Sequence, residues 1–305
     1  MVIADAHCHF FSAGLFRTLA RDLPDPPGDP ARDLPARLGW DAPGTDDELA
    51  DRWVAELDRH SVGRAMLIAS VPGDEGAVAS AVKRHPARCV GAFMFNPLTD
   101  DAAARIERAF GELGLRTACL FPAMHGFAVD DDRVRVVFEA AARHQRAVFV
   151  HCGVLSVGVR KKLGLPSRFD LRKGDPLAVA AVAVRHPKVP VIIPHFGAGL
   201  FREALMAADA APNVLLDTSS TNKWIAFHPG LTLRDVFARA LDCVGPSRLL
   251  FGTDSSFFPR GWQRPIYDTQ RQILDDLGVD AAGQAQIFGG NFARVLMPTE
   301  HAHGQ

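Results

Sequence analysis

The sequence predicts an α/β protein built as one (β/α)8 TIM barrel, with extended loops after its first and fifth strands. Three observations predict it. Eight short runs rich in Val, Ile, Leu and Phe recur along the 305 residues, near 2–7, 65–70, 89–95, 116–121, 147–152, 190–195, 214–218 and 249–253. The stretches between them carry apolar residues three and four apart, as helices covering a sheet do. No Gly-rich nucleotide loop follows any run, so eight such repeats favour a closed parallel barrel over an open doubly wound sheet.

The first run passes directly into His7-Cys8-His9. Side chains alternate across a strand, so His7 and His9 aim at one point while Cys8 faces the other way. Residues 22–44 follow, with Pro24, Pro26, Pro27, Pro30, Pro35 and Pro43. Proline cannot continue a helix or a central strand, and an irregular excursion is expected there. Helices are expected over 46–60, 100–113, 130–144, 176–186 and 231–244, several opened by Asp or Thr as N-caps. Residues 153–175 form a second long connection, after the fifth strand. Both excursions leave from the face where barrel enzymes build their sites, which makes them lid candidates. Residues 291–297 should close the barrel domain, 1–298, leaving 299–305 as a polar tail.

An apolar fraction of 48% supplies a large core, and 34 basic against 35 acidic side chains leave a net charge of −1. No global field draws such a chain to nucleic acid or an anionic membrane, so a small-molecule partner is expected. The opening Met-Val-Ile-Ala-Asp has no basic flank followed by an apolar stretch, and no segment is apolar for a bilayer's length. A cytoplasmic protein is expected. Five scattered cysteines argue for reduced thiols, with Cys89, Cys119 and Cys243 in or near the core.

The twelve histidines sort by position. Arg59-His60, Arg84-His85, Arg143-His144 and Arg185-His186 each close an expected helix at the bottom of the barrel, where cationic groups meet the negative end of a helix dipole. They belong to stability. His301 and His303 belong to the tail. His7, His9, His125, His151, His195 and His228 lie on the strand-exit side, and Asp254 joins them at the end of Leu-Leu-Phe-Gly-Thr-Asp, a buried-strand pattern ending in a charge. An isolated carboxylate there is costly unless paired or bound to a metal. The economical reading is one cluster of His7, His9, His151, His195 and Asp254 at the barrel mouth.

Asp-Ala-His7-Cys8-His9-Phe, Val-Phe-Val-His151-Cys-Gly, Ile-Pro-His195-Phe-Gly-Ala-Gly and Phe-Gly-Thr-Asp254 together resemble the amidohydrolase superfamily, and within it the amidohydrolase-related branch of metal-dependent hydrolases and non-oxidative decarboxylases. The similarity runs nearly the whole chain and takes in Phe-Pro-Ala-Met-His125-Gly-Phe with Asp130-Asp131-Asp132 and the closing Phe-Gly-Gly-Asn291-Phe-Ala-Arg. It implies His7, His9, His151 and Asp254 as ligands of a divalent ion, with His195 as a further ligand or acid/base. Binuclear relatives carry a lysine or glutamate on the fourth strand; Thr117-Ala118-Cys119-Leu120-Phe121 offers neither, which implies a single metal. The resemblance also implies a homodimer.

Imidazole nitrogens with one carboxylate suit Zn2+ first and accept Mn2+, Fe2+ or Co2+. Such an ion lowers the pKa of bound water from about 15.7 toward about 7, making a nucleophile for an ester, lactone or amide. Asp254 is the natural proton acceptor and His195 a group to hold an oxyanion or relay the proton. The same site suits a decarboxylase that protonates ring or alkene carbon. A third reading keeps the metal as a structural or sensory element without turnover. Arg160, Lys161, Lys162, Arg168, Arg172 and Lys173 after the fifth strand, with Lys223, Trp224, Arg260 and Trp262 after the seventh and eighth, point to a carboxylated or cyclic substrate. Arg clamps a carboxylate and Trp covers a ring. His125 is a further substrate contact, with Arg160, Arg168, Lys223, Trp224, Arg260 and Trp262 the leading candidates.

Overall fold

The computed structural model describes residues 2–219 and 223–297. The expected tail, 299–305, and its His301 and His303 lie outside the described residues. Eight strands, β1 (Ile3–Phe10), β2 (Val62–Ala69), β3 (Cys89–Phe95), β4 (Thr117–Leu120), β5 (Ala147–Val150), β6 (Val191–Ile193), β7 (Val214–Asp217) and β8 (Leu249–Leu250), form one parallel sheet in sequential order. The segment after β8 completes the ring against β1. Ala6 N donates to Phe251 O at 2.8 Å, Asp254 N to His7 O at 2.8 Å and His9 N to Ser255 O at 2.7 Å. The expected barrel is the observed one.

Alternation along the strands builds two concentric apolar layers. Met66, Ile68, Val90, Met94, Phe149, Ile192, Leu215 and Leu250 fill the barrel interior. Leu67, Phe93, Phe95, Val148, Val150, Val191 and Leu216 face the outer helices. The closing helix Asn291–Leu296 sends Phe292, Val295 and Leu296 into the inner layer, and the Asn291 amide donates to Pro246 O and Leu249 O at 2.8 Å each. It floors the barrel beneath β1 and β8.

Strand β1 departs from simple alternation. Ala4 and Ala6 belong to the inner layer, whereas Cys8 and Phe10 belong to the outer one. Strict parity from Ala6 would have turned Cys8 inward and both histidines out. The register explains the switch, because Asp5 pairs with Ala65 and Cys8 with Leu67, three steps against two. One extra residue forms a β-bulge that re-aims the chain.

Of the expected helices, Asp46–Arg59 and Leu233–Val244 are found nearly as placed, each opened by a Thr capping box at Thr45 and Thr232. Residues 100–113 split into a helix over Ala102–Glu107 and a π-turn over Arg108–Glu112. Two expectations are corrected. The proline-rich excursion contains a helix, Pro30–Leu38. Asp29 caps it and Pro30 takes the first position, where no amide hydrogen is needed; Pro35 is tolerated because the helix is short and ends at Gly39 in the left-handed region. Cys243 is exposed, since its helix turns Val236, Phe237, Ala240 and Val244 inward and leaves Cys243 on the opposite face.

A third apolar cluster sits apart from the barrel. Leu15, Phe16, Leu19, Leu34 and Trp40 from the excursion after β1 pack with Val159 and Leu165 from the one after β5, and Phe257 after β8 joins them. The two long loops form one cap. No helix among the described residues is long and apolar enough to cross a membrane.

Candidate metal centre

The bulge delivers His7 and His9 to the barrel mouth, their ring centroids 5.3 Å apart. Asp254 meets them from the end of β8, its Oδ1 3.1 Å from His9 Nε2 and 3.7 Å from His7 Nε2. Gly252 makes that approach possible. A Cβ there would lie 2.9 Å from the Cβ of His7 and 2.9 Å from Asp217 Oδ1. His195 arrives from β6, with its ring 4.9 Å from that of His7, and His151 from β5 stands 5.4 Å from His195. All five side chains of the expected cluster therefore converge on one mouth.

Backbone strain marks the same place. Asp254 holds φ 57°, and His195, Phe196 and Ala198 hold 55°, 51° and 44°, left-handed values that cost a residue with a Cβ about 1–2 kcal/mol each. Asp254 is held there by its N–H to His7 O, and Ala198 by its N–H to His195 O at 2.9 Å.

The electrostatics set one raised imidazole, His7, against two depressed ones, His151 and His195, with Asp217 and Asp254 as the facing carboxylates. Burial alone would push the His7 imidazolium down, yet Asp217 against it carries it up to about 9. Burial and the neighbouring His195 and His7 push His151 well below the ordinary histidine value, and burial pushes His195 down as well. Burial works against the charge of Asp254, but the hydrogen bond from His9 and the charge of His7 hold its carboxyl well below the usual carboxylate range.

The donor set fits a metal. One ligand atom each from His7, His9 and Asp254 lie within 4.8 Å of one another. The buried Nδ1 of His151 has no hydrogen-bond partner among the described residues, a polar atom that a cation or its water would satisfy. Three imidazoles and a carboxylate are the ligands that Zn2+ and its first-row neighbours prefer.

The sequence reading missed Asp217. It stands fully buried at the end of β7, with Oδ2 2.6 Å from His7 Nδ1 and Oδ1 accepting from Ser219 Oγ at 2.5 Å. Its signal was present, because Val-Leu-Leu-Asp217 ends an apolar strand in a charge just as the Asp254 segment does. Ser219, whose Oγ lies 2.8 Å from His195 Nδ1, and Ser70, whose Oγ lies 2.8 Å from His9 Nδ1, carry no comparable pattern.

The expected substrate contacts divide. Arg260 lies beside the cluster, donating to Asp254 O at 3.3 Å and Ser256 Oγ at 2.7 Å with its guanidinium 4.4 Å from the Phe257 ring centre. His125 ends a helical turn after β4, half-buried, with its Nδ1 unpartnered among the described residues and its ring stacked on Phe127. Lys223 and Arg168 are exposed on their loops. Arg160 is turned to the cap, donating to Asp22 Oδ2 at 2.6 Å and to Pro166 O. The two tryptophans are corrected: both lie in the layer between sheet and helices. Trp224 is fully buried beside Phe201 and His228, and Trp262 donates to Asp5 Oδ2 at 2.7 Å. Their large apolar rings are stabilised more in that layer than at a wet rim. The ring wall near the metal site is Phe11, Trp40 and Phe257. Phe11 is 5.7 Å from His9 and 6.1 Å from Trp40, Trp40 stacks on Phe257 at 4.0 Å, and Lys162 Nζ stands 5.3 Å from the Trp40 ring.

Residues 4–297 match the sequence family described as Amidohydrolase. The chain belongs to the amidohydrolase family. No curated protein sequence matches it. Among solved structures it is similar to a 5-carboxyvanillate decarboxylase from Novosphingobium aromaticivorans with bound manganese (14% identity, 97% of each chain, TM-score 0.66). It is similar also to an amidohydrolase from Burkholderia multivorans with bound zinc (17% identity, 97% of this chain and 99% of that one, TM-score 0.64). A third is a probable 2-pyrone-4,6-dicarboxylic acid hydrolase from Acinetobacter baumannii (15% identity, 97% and 99%, TM-score 0.60). These likenesses show the (β/α)8 barrel fold, which among these structures hosts both a decarboxylase and a probable hydrolase.

Proposed function

We propose that this amidohydrolase is a mononuclear metal-dependent hydrolase of an ester, lactone or amide in a small carboxylated or cyclic substrate. His7, His9, His151 and Asp254 would hold one divalent ion, Zn2+ first and Mn2+, Fe2+ or Co2+ after it, with His195 beside them. When bound, the ion supplies Lewis acidity and a water acidified toward neutral pH. The observation that carries the reading is Asp254, whose carboxylate is shared between the Nε2 atoms of two histidines and aimed by a strained backbone. Held ionised, it accepts a proton from the attacking water and returns it to the leaving group. His195, whose Nδ1 is turned to Ser219, presents Nε2 to the site and is placed to accept and relay the proton. Arg260 and Lys162 at the rim would receive a substrate carboxylate.

Asp254→Asn tests the assignment: kcat/KM is expected to fall by about 10³ or more with substrate affinity changed far less. An equal fall in affinity, or no turnover to lose, would sink the enzymatic reading. The row of Phe11, Trp40 and Phe257 favours a second reading, a decarboxylase of a planar unsaturated acid stacked on those rings. Protein reconstituted with the ion and supplied with lactones and aromatic acids separates the two. Oxygen-18 uptake from solvent marks the hydrolase and carbon dioxide release the lyase.

A further inference from the structure

We infer that Asp217 and Ser219, at the end of β7, are positioning residues that fix the tautomers of His7 and His195 together, so that one buried carboxylate prepares two imidazoles, one from β1 and one from β6. The inference rests on the metal-site reading above and concerns groups that the cluster itself does not include.

The chain of contacts is closed. Asp217 is fully buried, as is Ser219, and its two carboxylate oxygens serve as acceptors in every contact they make here. The Nδ1 of His7, 2.6 Å from Asp217 Oδ2, therefore carries a hydrogen, which leaves Nε2, on the side facing Asp254, as the nitrogen that a metal would take. The second oxygen of Asp217 accepts from the backbone N–H of Ser219 at 2.6 Å and from its hydroxyl at 2.5 Å. That hydroxyl hydrogen is thereby committed. What remains for His195 Nδ1 is the Ser219 hydroxyl oxygen at 2.8 Å and the Ser219 carbonyl at 3.1 Å, both acceptors, so His195 also carries its hydrogen on Nδ1 and presents Nε2. Neither ring can turn over without stranding a buried donor or acceptor. Partners of this kind orient metal-bound imidazoles and raise their basicity, and their loss costs about 10–100-fold in metal affinity. Ser219 is the link that extends the hold of Asp217 from β1 to β6.

The test titrates metal-free protein with Zn2+ against a chromophoric chelator and follows unfolding of the metal-free protein in parallel. Asp217→Asn is expected to weaken Zn2+ binding at least tenfold, and Ser219→Ala by a smaller factor of at least threefold. In zinc-loaded wild type, long-range proton–nitrogen correlation spectra should show Nδ1–H on His7 and His195. If both variants unfold more easily while the folded protein binds Zn2+ as wild type does, or if either ring shows its hydrogen on Nε2, the positioning role is overturned. Should Asp217→Asn fail to fold, the Ser219 variant and the spectra decide. Wild type that binds no Zn2+ would instead overturn the metal-site reading.

Discussion

At the scale of single residues, the site combines groups a sequence displays with groups it hides. His7, His9, His151, His195 and Asp254 were legible because each ends an apolar strand in a residue that is costly to bury alone. Asp217 offered the same signal, yet without a histidine motif beside it there was nothing to say which carboxylate faced the mouth. Ser70 and Ser219 were invisible, since a serine becomes an imidazole's partner only through the pairing of distant strands. His125 gives the residue scale its pH prediction. Burial pushes it down to about 4, below its unfolded value of 6.5, so the folded state takes up its proton later than the unfolded chain does. The neutral form therefore contributes stability that is fully present above about 6.5 and lost as pH falls toward 4, on the order of 1–2 kcal/mol after allowing for partial exposure. Denaturant midpoints measured across that range should lose part of their slope in His125→Gln; an unchanged slope would show that the ring is not the group responsible.

At the scale of elements, the periodicity of the strands and of the longer helices was readable, while the use made of their ends was not. Three of the four Arg-His pairs close helices, Arg185-His186 lying just past the helix Pro176–Ala183, and the structure adds that two of them clasp a carboxylate on a neighbouring helix. Arg84 and His85 hold Asp51, with Nε–Oδ1 2.6 Å and Nε2–Oδ1 2.7 Å, and Arg143 and His144 hold Glu107. The Arg59-His60 pair holds Glu56 of its own helix, and His186 stacks on Phe138. Helix starts carry a simpler prediction. Thr45 accepts from Glu48 N at 3.2 Å while the Glu48 carboxylate accepts from Thr45 N at 2.7 Å. Thr45→Ala is expected to cost about 1 kcal/mol in the denaturant midpoint without altering metal binding. The bulge in β1 is the element that alternation could not foresee. An inserted residue leaves the apolar pattern of a short strand nearly unchanged and shows itself only against the register of its neighbour.

At the scale of the whole molecule, the barrel positions its site by closing. His7 rests edge-on against Phe149 of the inner layer at 5.2 Å, so the floor of the metal centre is the hydrophobic interior of the barrel. Phe149→Ala is expected to cost about 3–5 kcal/mol of stability and to weaken metal binding, because the cavity removes the surface that holds the His7 ring. A loss of stability with metal affinity intact would detach the two. The cap, with its own cluster around Leu34 and Trp40, lies over the same mouth. Its prolines announced an excursion but not a helix, since Pro30 falls where a helix needs no amide hydrogen. By itself, the sequence determined the repeating strand and helix pattern, the closed parallel sheet and the five side chains at the strand ends, because each follows from local periodicity and the cost of burying charge. Only the tertiary structure decided which way β1 turns its histidines, that Asp217 and Ser219 stand behind them, and that two tryptophans belong to the core. Those outcomes depend on register, ring closure and competition for buried space between segments up to 257 residues apart, as in the bond from Trp262 to Asp5.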